Sequence, residues 1–100
     1  MKLYDIAHCR AGDKGNTSIL SLIAYRAEDY PLLVEKVTTA AVQRHLNGIV
    51  AGTVTRHEVP GLLALQLVCE EALLTGVTTS LAMDTHGKAL SSALLEMEIS

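Results

Sequence analysis

Neither phenylalanine nor tryptophan occurs anywhere in the 100 residues, and Tyr4, Tyr25 and Tyr30 are the only large aromatic side chains. The interior of such a chain has to be closed by aliphatic groups, among which sixteen leucines dominate. A chain of this length supports one core, burying roughly 60–70% of the surface its unfolded form exposes. A hydrophobic fraction of 49% against 19% charged residues lies far from the polar regime of disordered segments. The expectation is a single folded domain over 1–100.

The lack of aromatic platforms excludes readers of single-stranded nucleic acid, which stack bases on Phe, Tyr or Trp. A formal charge of -3 argues against a surface made to neutralise phosphate backbones. The charge is unevenly divided: seven cations face five acids from Met1 to Arg56, whereas one cation faces six acids from His57 to Ser100. An anion would therefore meet the N-terminal half. Cys9 and Cys69 are the only cysteines and form no short-spaced pair, so neither a disulfide framework nor a zinc ribbon is signalled. No run approaches the roughly 18 apolar residues of a membrane span, and the first residues lack a secretory apolar stretch. The expected setting is cytoplasmic, with no membrane and no metal or cofactor.

Periodicity predicts two strands at the start, from Leu3 to His8 and from Thr17 to Tyr25, joined by a long loop, the second strand being central. Asp29-Tyr30-Pro31 opens an amphipathic helix that runs to Asn47-Gly48. Thr53 to Val59 is β-branched and polar on both faces, which suits an edge strand. Pro60-Gly61 then opens a second helix, Leu62 to Leu74, with only Gln66, Glu70 and Glu71 as a polar stripe. A helix so apolar calls for cover on more than one side, by a second copy or a partner. A strand over 77–83, a turn over 84–88, helical turns at Leu90, Ala93 and Leu94, and a last strand at Leu95, Met97 and Ile99 complete the reading. The fold class is α+β, a two-layer sandwich with two main helices on one face of a four- to five-stranded mixed sheet.

One segment concentrates chemistry: His8-Cys9-Arg10-Ala11-Gly12-Asp13-Lys14-Gly15-Asn16-Thr17. Backbone amides at its turn can converge on an anion, and Arg10 and Lys14 add a fork-shaped and a point positive charge. Gly12, Gly15, Asn16 and Thr17 line the same stretch, and Arg56 could share the anion or pair with Glu58. His8 and Asp13 offer an imidazole and a carboxylate for proton transfer, with Lys14 as a third catalytic candidate. The spacing is neither a Walker A loop nor a dinucleotide fingerprint. The plain alternative is a hairpin connection whose residues serve turn propensity and solubility. His8 and Cys9, being adjacent on a strand, point to opposite faces and cannot share a metal.

The stretch from Leu3 to Thr17 resembles the opening of the AtuA-like ferredoxin-fold domain, whose pattern runs approximately L-A-H-x-R-S-G-D-K-G-[DN]. The likeness continues through Arg56-His57-Glu58-Val59-Pro60, Thr78-Thr79-Ser80-Leu81, Gly87-Lys88 and 92–99, nearly the whole chain. Ala11 stands where that family usually has Ser, which removes a hydroxyl nucleophile; Cys9 and Gly61 replace a common Ala and Asn. The resemblance implies a ferredoxin-like sandwich and an association with acyl-CoA, branched-chain or terpenoid catabolism. It also implies an accessory domain or subunit, because the domain occurs both fused to larger acyclic terpene utilisation proteins and alone. It implies no reaction. Three functions follow as expectations: an accessory domain holding a carboxylate or acyl-CoA at the 8–17 loop, assembling with itself or an AtuA-type partner; an independent small lyase, hydratase or isomerase using His8, Asp13 and Lys14; and a purely structural oligomeric module.

Overall fold

The computed structural model describes residues 1–47, 49–71 and 87–99; the strand read over 77–83, the turn residues 84–86 and residues 72–74 lie outside them. Strands β1 (Ala7–Lys14), β2 (Thr17–Ala24), β3 (Val54–Val59) and β4 (Ala64–Cys69) accompany helices α1 (Tyr30–Lys36), α2 (Thr39–His45) and α3 (Gly87–Leu95). The strands form one sheet in the order β1-β2-β4-β3. All three pairings are antiparallel, where a mixed sheet was expected; the α+β class stands.

Alternation builds the sheet. Along β2, Ser18, Leu20, Leu22 and Ala24 are buried while Thr17, Ile19, Ser21 and Ile23 are half-buried. Opposite them on β4, Cys69, Leu67 and Leu65 are buried in register with Ser18, Leu20 and Leu22. Leu33 of α1, Val42 of α2, and Leu90 and Leu94 of α3 join the same cluster. All three helices thus cover one face of the sheet, and no described element covers the other.

The second helix expected from Leu62 to Leu74 is a strand where it is described. Pro60–Leu62 makes a single 3-10 turn, Leu63 takes a left-handed φ of 55°, and β4 follows at once. Leucine favours helix in isolation, but β2 and β3 pair with both edges of the segment, and tertiary context overrides propensity. Apolar residues all round the supposed helix are the mark of a central strand. The helical argument for an interface at this segment goes with it.

The helix expected from Asp29 to Asn47 is broken into two. Val37 leaves the helical region at ψ 71°, and Thr38 caps α2 by accepting a hydrogen bond from the Ala41 amide at 3.1 Å. The carbonyls freed at the break are satisfied by Arg56, whose Nη1 donates to Val34 O at 2.8 Å and Val37 O at 3.0 Å. At the chain start, Leu3–Asp5 forms a 3-10 turn, so β1 begins four residues later than the alternation implied. The expected final strand is reduced to a bridge between Lys2 and Glu98, with Leu3 N donating to Met97 O.

Both thiols lie on strands. Burial pushes Cys9 up to about 12 and Cys69 up to about 11. A folded-state thiol above its unfolded value holds a proton that the unfolded chain releases, so this contribution is intact below pH 9 and is lost as pH rises to about 11 for Cys69 and about 12 for Cys9. Urea midpoints should therefore fall across that window, and fall less in Cys9→Ala. A flat profile would contradict the burial of these sulfurs. Alkylation by iodoacetamide at pH ~8 should require unfolding, because the thiolate is the nucleophile.

Candidate functional site

Strand pairing divides the chemistry-rich segment between the two faces of the sheet. On the uncovered face Arg10 pairs with Ser21, Ser21 with Gln66, and Gln66 with His57, a polar row crossing all four strands. One flanking row is His8, Ile23, Ala64 and Val59; the other is Gly12, Ile19, Val68 and Thr55. At about 4.8 Å between strands, the polar row spans about 14 Å. Ile19, Ile23, Val59 and Val68 are half-buried and lie outside the core cluster.

Among the described residues the face carries charge of one sign. No carboxylate occupies any of its three rows. Arg10 is exposed, and among the described residues none of the side chains of Arg10, Ser21, Gln66 and His57 has a hydrogen-bond or ion-pair partner. His8 lies with its ring centroid 5.3 Å from that of Tyr25, and its Nδ1 is shut from solvent with no partner among the described residues. Tyr25 and Leu62, 61% and 69% exposed, stand at the same end of the sheet, where Ala24 N donates to Leu63 O. A guanidinium at the head of a row of neutral donors, between two aliphatic rows, can hold an anionic group together with an apolar one.

The anion loop expected over 8–17 is a hairpin. β1 and β2 stay paired up to Lys14 and Thr17, and only Gly15 and Asn16 turn, Gly15 at φ 61°. Amides of a strand alternate in direction, so those of 8–14 do not converge into a nest. Arg10 and Gly12 belong to the open face; position 14 follows in the same series, and Thr17 opens β2 beside it. Positions 8 and 13 are an odd number of residues and about 16 Å apart along the strand, so the register places them on opposite faces of β1. Cys9 faces the helix side, opposite Leu22, which separates it from His8 as expected.

Arg56 also sits on the helix side, level with Leu67, and besides capping α1 it pairs with Glu58 at 3.1 Å. Its position is on the sheet face opposite the one that carries Arg10. Ser21, Gln66 and His57 were not singled out as site residues in the sequence. Their signal was a period of two across 64–69, which would have placed Gln66 on one face with Arg10 through Ser21. Among the described residues no three His, Cys, Asp or Glu side chains gather to hold a metal ion, and no helix is long and apolar enough to cross a membrane.

A four-stranded antiparallel sheet with helices on one face, and no described element on the other, is the frame of a ferredoxin-like α+β domain. The model of the AtuA ferredoxin-like domain matches residues 1–100, and the chain belongs to that family. No curated protein and no solved structure matches it.

Proposed function

We propose that the chain is a small accessory domain or subunit of an AtuA-type system in acyl-CoA, branched-chain or terpenoid catabolism, and that it holds a carboxylate or acyl-CoA on its open sheet face. The observation that supports this reading is Arg10, exposed and without a counter-charge among the described residues, at the head of a polar row on a face without carboxylates. Arg10 supplies charge-assisted hydrogen bonds to the anion; Ser21 and Gln66 supply neutral ones; Ile19, Ile23 and Val68 take the apolar part. Gly12, Lys14, Gly15, Asn16 and Thr17 form the rim of the same hairpin. The role is electrostatic positioning, and the chemistry belongs to the assembled system. A second copy, or a larger AtuA-type partner, meets the domain at this face in place of the helix first expected to carry the contact. Reduced thiols at Cys9 and Cys69 accord with a cytoplasmic setting.

Isothermal titration with acetyl-CoA and with succinate tests the proposal. Arg10→Ala is expected to weaken binding by about ten- to a hundredfold, the value of a charge-assisted hydrogen bond. Arg26→Ala, which removes an exposed cation paired with Glu28, should bind as the parent does. Heat from neither probe would leave the purely structural module as the better account.

A further inference from the structure

A second concavity lies on the helix side. It has a volume of about 510 Å³ and is lined by Lys36 at the end of α1, by Ala41, Arg44 and His45 of α2, and by Met97, Glu98 and Ile99. That volume falls within the range of small-molecule sites. Beneath its polar rim lie three apolar side chains, Met97 and Ile99, which are 5% and 4% exposed, and the half-buried Ala41.

The rim carries unbalanced positive charge. Lys36 stands at a helix C-terminus, where cations commonly serve the terminal carbonyls, yet Val34 O and Val37 O are already taken by Arg56. Among the described residues neither the Lys36 ammonium nor the Arg44 guanidinium has a hydrogen bond or an ion pair. His45 Nε2 donates to Ala93 O at 2.7 Å, which leaves Nδ1 as the ring's free nitrogen. Glu98, the one acid of the rim, is held by the terminal ammonium of Met1 at 2.6 Å, which keeps its carboxyl below the usual range. The Glu98 charge is thereby answered, and those of Lys36 and Arg44 are not answered among the described residues. This lies on a chain whose formal charge is -3.

We propose that this concavity is a second binding site, separate from the open sheet face, for a small amphiphilic anion: a carboxylate held by Lys36 and Arg44, with a short apolar tail on Ala41, Met97 and Ile99. A compact, strongly hydrated anion without a tail gains only the charge contacts, which are exposed and screened by salt. Hexanoate should therefore bind more tightly than inorganic phosphate, and hexylamine should not bind.

The experiment is a hexanoate titration of isotopically labelled protein followed by NMR, with inorganic phosphate and hexylamine as comparison probes. Saturable shifts at Ala41, Met97 and Ile99 are expected. The double variant Lys36→Ala/Arg44→Ala should weaken hexanoate by at least about tenfold, with an unchanged spectrum elsewhere showing that it folds. Arg10→Ala should leave these shifts intact, which separates this site from the open face. Shifts that are absent, that appear with hexylamine as well, that survive the double variant, or that move to Ser21 and Gln66 would overturn the proposal.

Discussion

Leu67→Ala should lower the free energy of unfolding by about 2–5 kcal/mol, a large share of the 5–15 kcal/mol typical of a domain. Leu67 is fully buried at the middle of β4, level with Leu20 on β2 and Arg56 on β3. Its side chain faces the layer that contains Leu33, Val42 and Leu94. Truncation leaves a void that neighbours on two flanking strands cannot fill without shifting the ladder. Val68, one residue on, points to the open face and is half-buried, so Val68→Ala should cost only about 1 kcal/mol. Urea denaturation of the two variants reads the difference. Equal losses would contradict a strand with one covered and one open face.

Arg56→Ala is expected to cost about 3 kcal/mol, more than the pairing with Glu58 that the sequence suggests would account for. Its guanidinium joins three groups: the carbonyls of Val34 and Val37, freed where α1 stops, and the Glu58 carboxylate. Removing it leaves the end of α1 without its cap and Glu58 without its partner. Arg56→Lys should recover only part of the loss, because one ammonium cannot reproduce the planar fork that serves two carbonyls and a carboxylate together. Acetyl-CoA binding by the folded fraction should be unchanged in both variants, because Arg56 and Arg10 occupy opposite faces. A variant that keeps its stability but loses the ligand would reverse the assignment and make Arg56 part of the binding surface.

What the sequence disclosed and what it hid have one physical source, the ambiguity of short apolar runs. β2 and β3 were legible because Ile and Thr are β-branched and turn residues bound the segments. The stretch 62–74 was not, since a run rich in leucine is compatible with a buried helix and with a central strand, and periodicity alone does not separate them. The break at Val37-Thr38 was hidden for a different reason: it depends on Arg56, eighteen residues beyond Thr38, to satisfy the carbonyls it frees. The hairpin over 7–24 was expected, but its polar residues were read as a loop, so Arg10 was grouped with Asp13 rather than with Ser21. Arg10 was found as a candidate because an arginine among glycines is conspicuous. Gln66 and His57 join it only through strand pairing, which connects residues 47 and 56 positions away in the chain.

The most direct test of the account follows backbone amide resonances while acetyl-CoA or succinate is added. Arg10, Ser21, Gln66 and His57 should shift together along one binding curve, with Ile19 and Val68 following under acetyl-CoA, and Arg10→Ala should abolish the response. Shifts confined to Gly15 and Asn16, or a response that persists without the Arg10 guanidinium, would show that the row across the open face is not where the anion is held.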